Sequence, residues 1–213
     1  PALAVMAVGM TFVLIIAGID LSVGSVMALS AATSAAAILQ WHWPVPAAAA
    51  LALLTGLVCG TITGAISVAW RLPSFIVSLG MLEAVRGSAY LVTDSRTQYV
   101  GDAISWLAAP FLGGISVAFL IAVALVVVAQ LVLTRTVFGR SVVGIGTNEE
   151  AMRLAGVDPR PVRIIVFALT GLMAGLAGLM QSARLEAADP NGGTGVELQV
   201  IAAVVIGGTS LMG

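Results

Sequence analysis

The segment TRTVFGRSVVGIGTNEEAMRLAGVDPRPVR, residues 134–163, is the only long polar stretch of the chain, and it holds five of the nine arginines. Strongly apolar runs flank it on both sides. Because positive charge resists translocation, an arginine-rich loop between two membrane-length segments is expected to be cytoplasmic. The segment therefore predicts a membrane protein that exposes one polar loop, 134–163, to the cytoplasm.

The composition agrees with a protein embedded in a lipid bilayer. Of the 213 residues, 60% are hydrophobic and 9% are charged, and the mean hydropathy is +1.10. Soluble domains have about 25% charged residues. We expect an all-α fold, a single polytopic transmembrane domain over 1–213. The net charge of −1 gives no basis for binding nucleic acid.

Side chains that could carry chemistry are few. His42 and Cys59 are the only histidine and the only cysteine, so we expect no metal site, no disulfide and no catalytic residue. The nine cationic residues are all arginine, whereas a P-loop ATPase needs a lysine on the nucleotide phosphates. We therefore expect no cofactor in this chain, and ATP-driven work would come from a partner.

Several apolar segments are long enough to cross a bilayer, which takes roughly 20 residues as a helix. They are predicted at 2–19, 23–40, 47–70, 74–92, 111–133, 164–183 and 196–213. A polar loop with a short interfacial segment is expected between the fourth and fifth of them, at 93–109. Because the chain begins with Pro1 and stops inside an apolar run, we expect further residues at both ends.

The sidedness of the loops follows by alternation from a cytoplasmic 134–163. Residues 70–73 and 20–24 then lie on the cytoplasmic side, and 41–45 and 93–109 lie outside. Arg71 on the inside agrees with the positive-inside rule, whereas Arg96 on the outside does not.

Glycines recur at helical spacing in two of the apolar segments. Gly56, Gly60 and Gly64 follow one another at four-residue steps, and Gly171 and Gly175 repeat the spacing. Small residues at this spacing let membrane helices approach closely. Static helix packing is the favoured interpretation, and a sliding interface in a transporter is the alternative.

Two polar features within the apolar segments are candidates for a translocation pathway. Asp20, Ser22 and Gly24 form a short polar break, which either lines a pathway or is a capped turn with Asp20 or Ser22 as the N-cap. Glu83 and Arg86 share one helix face, and charges at membrane depth often mark functional sites. The alternatives for them are an ion pair that locks two helices together, or an arginine that reaches the headgroups.

The loop at 134–163 contains one short amphipathic helix. Residues 147–150, Thr-Asn-Glu-Glu, fit a capping box in which Thr147 caps and Glu150 reaches back, and Glu149 and Arg153 fit an i, i+4 ion pair. Gly156 is a natural C-cap. A two-turn helix is not stable alone, so it packs either into a partner's groove or against its own membrane domain. The candidate docking residues are Asn148, Glu149, Glu150, Ala151, Arg153, Leu154, Ala155 and Gly156.

Three stretches resemble the ribose-type permease subunits of bacterial ATP-binding-cassette (ABC) importers. They are MAVGMT at 6–11 continuing to GIDLSVG at 18–24; GR at 139–140 with GTNEEAMRLAG at 146–156; and GTG at 193–195 through Glu197 to IAAVVIGGTS at 201–210. The order and spacing also match over essentially the whole chain. Pro159 and Pro161 depart from the pattern, since relatives often have polar residues there.

The resemblance implies an ABC importer transmembrane domain in the bacterial inner membrane, truncated here at both ends. It also implies that 148–156 is a coupling helix contacting a cytoplasmic ATPase. An extracytoplasmic sugar-binding protein and a second permease copy, in a homodimer, are the other implied partners. With Thr209 added, the candidate pathway residues are Asp20, Ser22, Gly24, Glu83, Arg86 and Thr209.

Other functions remain open from the sequence. An ion-gradient-driven secondary transporter or channel would need an intramembrane acid, and Glu83 or Asp20 could serve. An ABC permease for another solute, such as branched-chain amino acids or a signalling sugar, is a second alternative. An intramembrane enzyme is disfavoured, because the chain has one histidine, no metal motif and no paired-carboxylate site.

Overall fold

The computed structural model describes residues 1–210, and this part of the chain is predominantly helical. Its α-helices are α1 Ala2–Ile15, α2 Val23–Leu39, α3 Val45–Ala69, α4 Ser74–Val92, α5 Val117–Arg135, α6 Val137–Leu154, α7 Pro159–Leu185 and α8 Val196–Ile206. A 3-10 helix spans Gly101–Leu107, and the short strands are β1 Gln98–Tyr99, β2 Pro110–Leu112, β3 Ile115–Ser116 and β4 Ala187–Ala188. The predicted all-α polytopic fold is confirmed. The end of the last predicted segment, 211–213, lies outside the described residues.

Four helices are long and apolar enough to cross a membrane: α3, α4, α5 and α7. The apolar helices α1, α2 and α8 are shorter. The predicted start of the fifth segment at 111 is wrong, because Gly113 and Gly114 adopt positive φ and turn the chain between β2 and β3. Helix α5 starts only at Val117, where the Ser116 hydroxyl accepts a hydrogen bond from the Phe119 amide at 3.3 Å.

The glycine ladder is the contact between α3 and α7. A Cβ on Gly56 would overlap the carbonyl oxygen of Gly171, and one on Gly60 would overlap that of Phe167. As residue numbers rise along α3 they fall along α7, so the two helices are antiparallel. The predicted close approach is confirmed, and it leaves no space for a side chain at the crossing.

Helix α2 lies at the centre of the bundle. Nearly all of its residues are buried, and it packs against α3, α4 and α7. Helix α1 joins the same core, where the Thr170 hydroxyl of α7 donates to the Gly9 carbonyl at 3.0 Å. By contrast, α5 lies at the edge of the bundle with Ala118 and Ala122 as its buried residues.

Connecting segments meet at the two opposite ends of α7, which agrees with the alternation for 70–73, 134–163 and 93–109. At one end, β1 from the α4–α5 connection pairs antiparallel with β4 from the α7–α8 connection. At the other end, Arg71 from the α3–α4 turn lines a common cavity with Glu149 and Arg163. The first we name the outer end and the second the arginine end.

Candidate translocation and docking sites

A sharp break in α6 creates a separate short helix at the arginine end. Asn148 has non-helical torsion angles, φ −160° and ψ 98°, and separates 137–147 from 149–154. We call 149–154 the docking helix. Its N-cap is Asn148, whose Oδ1 accepts from the Ala151 amide at 2.9 Å.

The predicted capping box around Thr147 is therefore wrong by one residue. Helix α6 continues through Thr147, whose hydroxyl donates back to the Val143 carbonyl at 3.0 Å. Asparagine caps at least as well as threonine, so the break falls at Asn148. Within residues 1–210, the Glu150 side chain makes no hydrogen bond, and the reciprocal bond of a capping box is missing.

The end of the docking helix follows the prediction. Gly156 adopts φ +84°, its amide donates to the Arg153 carbonyl at 3.0 Å, and the Val157 amide donates to the Met152 carbonyl at 3.0 Å. Asp158 then caps α7 by accepting from the Arg160 amide at 3.0 Å. The chain therefore stops one helix and starts the next within four residues.

One side of the docking helix is fixed to its own membrane domain. The Glu149 carboxylate pairs with Arg153 at 2.7 Å, which confirms the predicted pair, and also with Arg163 of α7 at 2.6 Å. The Met152 side chain lies directly over Gly144, so the two parts of α6 pack together.

The opposite side of the docking helix is open. Leu154 is 86% exposed, and Glu150, Ala151 and Ala155 beside it are exposed as well. An apolar face this accessible at a polar end of a membrane bundle is suited to a partner's groove.

The break between α1 and α2, residues 16–22, encloses a buried carboxylate. Asp20 is 1% exposed, and its Oδ1 accepts from the Ser22 amide at 2.8 Å and the Ser22 hydroxyl at 2.6 Å. Ser22 is the N-cap residue of α2 but makes no side-chain cap bond. Ser22 therefore does not cap the helix with its side chain, because its hydroxyl is donated to Asp20, and it is Asp20 that accepts the backbone amide at the start of α2.

The break is anchored to the first turn of α4. The Ile19 amide donates to the Ser74 hydroxyl at 3.0 Å, and the Ser78 hydroxyl reaches the Ile19 carbonyl at 3.4 Å. Side chains of α4 thus satisfy backbone groups that the missing helical turn leaves free, as irregular backbone inside a membrane protein requires.

The connection from β4 to α8 closes over the start of α2. We call residues 189–195 the closing loop. A Cβ on Gly193 would overlap the Gly24 carbonyl, and a Cβ on Gly24 would overlap the Gly193 carbonyl and the Glu197 carboxylate. The predicted Gly24 therefore lies in a backbone-to-backbone contact that only glycine permits on either side.

Helix α4 holds the closing loop from another direction. Arg86 donates to the Pro190 carbonyl at 3.0 Å, and the Tyr90 hydroxyl bonds to Asn191 Oδ1. Glu83 is exposed, and the ion pairs among residues 1–210 all involve Glu149. The alternative of a helix-locking ion pair formed by Glu83 and Arg86 is therefore wrong: Arg86 bonds to backbone instead.

Several residues of this region were not predicted from the sequence. Glu197 Oε1 accepts from the Gly195 amide at 3.2 Å, while its Oε2 is buried without a hydrogen-bond partner. The hydroxyls of Ser25 and Ser30 are likewise buried and unpaired. The glycine-rich stretch 192–195, with Glu197 after it, was the sequence feature that pointed to this region. It could not reveal the contact with Gly24.

Thr209 lies apart from these contacts. It follows the end of α8, where its amide donates to the Val204 carbonyl at 3.2 Å. The structure brings together Asp20, Ser22 and Gly24 in one segment, and it connects Arg86 to them only through the closing loop.

Comparison with known proteins identifies the family of the chain. All of it, residues 1–213, matches the family described as branched-chain amino acid transport system / permease component. The ribose import permease protein RbsC of Escherichia coli (strain K12) is 41% identical over 99% of this chain and 67% of its own length. The L-arabinose ABC transporter permease protein AraH of Azospirillum brasilense is 39% identical over 97% of this chain and 61% of its own length.

The fructose import permease protein FruF of Bifidobacterium longum (strain NCC 2705) is 38% identical over 97% of this chain and 60% of its own length. No solved structure matches the chain significantly. Because the family match covers every residue and agrees with the helical bundle described above, the chain belongs to this family of transport-system permease components and is a polytopic α-helical membrane permease.

Proposed function

We propose that the chain is the membrane-spanning subunit of an ABC importer in the bacterial inner membrane and forms the pathway for a monosaccharide. ATP is hydrolysed by a separate cytoplasmic subunit, and an extracytoplasmic binding protein delivers the sugar. The relatives named for ribose, fructose and L-arabinose support the substrate class. A second copy of the permease completes the pathway.

The observation that carries the proposal is the docking helix. It projects an exposed face containing Ala151, Leu154 and Ala155 at the arginine end, while Glu149 joins it to α7. A helix that inserts one face into a partner and is tied by the other to a membrane helix can transmit displacement. Helix α7 packs along α3 without space for side chains, so movement of its first turn is passed on to the bundle.

The break and the closing loop form the membrane part of the pathway in a closed state. Asp20, Ser25 and the Glu197 carboxylate supply buried polar groups around the start of α2, and the buried Ser30 hydroxyl lies about two turns further along the helix. Three of them, the Glu197 Oε2 and the hydroxyls of Ser25 and Ser30, have free hydrogen-bonding capacity. Groups of this kind suit a solute rich in hydroxyls, since each sugar hydroxyl both donates and accepts.

A second candidate is the import of branched-chain amino acids, because the family description names that solute class. The relatives named for ribose, fructose and L-arabinose favour a sugar over this solute class. The alternative of an ion-gradient-driven transporter is distinguished by its energy source.

Uptake by the permease, reconstituted in liposomes with its ATPase and binding protein, tests the proposal. We expect radiolabelled pentose or hexose to accumulate when ATP is enclosed with the ATPase. Ionophores that collapse proton and sodium gradients should leave this uptake unchanged. Accumulation of leucine instead of sugar, or loss of uptake on adding ionophores, would contradict it.

A further inference from the structure

The arginine end contains a cavity on the side of the docking helix that faces α7, away from its exposed apolar face. Its volume is about 260 Å³, and four arginines line it: Arg71 from the α3–α4 turn, Arg153 from the docking helix, and Arg160 and Arg163 from the first turn of α7. Glu149 is the acidic residue that lines it. We call this cavity the arginine basin.

The charges of the arginine basin are not balanced within the described structure. The carboxylate of Glu149 is shared between Arg153 and Arg163. The side chains of Arg71 and Arg160 have no hydrogen bond or ion pair within residues 1–210. The neighbouring Asp158 accepts from the Arg160 amide as the cap of α7. Two guanidinium groups are therefore free to bind an anion.

The position of the basin indicates where the anion comes from. The basin lies on the side of the docking helix that carries Glu149 and Arg153 and faces α7, whereas Ala151, Leu154 and Ala155 face away. A partner seated on the exposed face would leave the basin open. Its other walls are the ends of the membrane-spanning helices α3 and α7.

The rim of the basin is suited to the headgroup layer of a bilayer. Trp70 is 68% exposed and Leu72 is 44% exposed beside Arg71, and tryptophan favours the boundary between membrane and water. Guanidinium groups bind phosphate oxygens through paired hydrogen bonds, and the cytoplasmic leaflet is the anionic one.

We propose that the arginine basin binds the phosphate of an anionic phospholipid of the cytoplasmic leaflet, such as phosphatidylglycerol. The headgroup phosphate bridges Arg71 of the α3–α4 turn and Arg160 of α7. It thereby fastens the turn after α3 to the helix that carries the docking helix.

Lipid binding by the purified permease alone tests this proposal, so the result does not depend on the proposed import function. The permease in phosphatidylcholine nanodiscs is titrated with phosphatidylglycerol, and retained lipid is counted by native mass spectrometry. The variant Arg71→Gln/Arg160→Gln should bind phosphatidylglycerol about 25-fold more weakly, because each arginine near the membrane surface contributes about fivefold. Arg96→Gln/Arg184→Gln at the outer end is the matched control and should bind as the unaltered protein does.

Further measurements distinguish lipid binding from misfolding, from binding of free phosphate and from binding of the ATPase. Arg71→Lys/Arg160→Lys keeps both charges but not the paired guanidinium hydrogen bonds, so its lipid binding should lie between those of the unaltered protein and the Gln/Gln variant, which distinguishes loss of charge from misfolding. Inorganic phosphate at millimolar concentration should not compete with the lipid. Equal lipid retention by the Gln/Gln variant and the unaltered protein would overturn the proposal, as would effective competition by phosphate. Unchanged lipid binding with lost ATPase binding in the Gln/Gln variant would assign the arginines to the protein partner instead.

Discussion

The two ends of α7 are held in different ways. At its first turn, Arg163 joins the docking helix through Glu149, and both side chains are partly exposed. Beyond its last turn, the closing loop meets α2 through the backbones of Gly193 and Gly24, with no space for a Cβ on either residue. Ion pairs in water are weak and adjustable, whereas close-packed backbone tolerates no added volume. The docking end can adjust its geometry, whereas the closing loop in this closed state leaves no space for an added side chain.

The largest effect is expected at the contact between the backbones of Gly193 and Gly24. In Gly193→Ala, the added methyl group overlaps the Gly24 carbonyl, so the closing loop or α2 must shift. We expect a loss of stability of about 1–3 kcal/mol, together with loss of transport. Thermal unfolding of the purified permease and sugar uptake measure the two effects.

Gly80→Ala is the matched control for this substitution, because a Cβ at Gly80 has no neighbour within 4 Å. It should be neutral or slightly stabilising, since alanine favours a helix by about 1 kcal/mol over glycine. If Gly193→Ala unfolded at the same temperature as Gly80→Ala, the backbone contact would not be important.

A smaller effect is expected at the buried carboxylate. Asp20→Asn keeps an acceptor for Ser22 but replaces the titratable carboxyl group with an amide, so the fold should survive while the balance between closed and open states changes. We expect uptake to fall about tenfold, which corresponds to about 1.4 kcal/mol, with little change in folded yield. Ser22→Ala should act in the same direction. Normal uptake in a well-expressed Asp20→Asn permease would leave Asp20 with a structural role only.

The smallest effect is expected at the ion pair between Glu149 and Arg163. Ion pairs near the surface contribute about 0–1 kcal/mol, and Glu149→Arg removes both pairs of Glu149, so it should lower thermal stability only slightly and reduce substrate-stimulated ATP hydrolysis about threefold. Combining it with Arg163→Glu restores an opposite pair and should recover hydrolysis. Failure of the reversed pair to recover, with normal folding, would show that the docking helix is not linked to α7 through these charges.

The contrast between the docking helix and the closing loop also explains what the sequence could predict. Gly156 as a C-cap and the pair of Glu149 with Arg153 depend on neighbours within one helical turn, and both predictions hold. The cap at Asn148 was missed because Thr147 offered an equally good local motif, and only the length of α6 decides between them. The Gly113–Gly114 turn that delays α5 was overlooked inside an apolar run.

The closing loop could not have been predicted from local patterns. Gly193 and Gly24 are far apart in sequence, and the Arg86 bond to Pro190 spans 104 positions. Such contacts are determined by how the helices pack. Resemblance to a family conveyed the overall fold, since whole-chain similarity carries that information without revealing the individual contacts.

Binding of the ATPase by an Ala155→Glu permease shows whether residues 149–154 dock the ATPase. Ala155 is exposed at the end of the docking helix, so a charged side chain there should prevent close seating in a partner's groove without disturbing the membrane bundle. Ala109→Glu makes the same substitution at an exposed position of the outer end. We predict that the Ala155→Glu permease inserts normally but no longer co-purifies with its ATPase, while the Ala109→Glu permease does. Undiminished ATPase binding and substrate-stimulated hydrolysis with Ala155→Glu would contradict the assignment of 149–154 as the docking element.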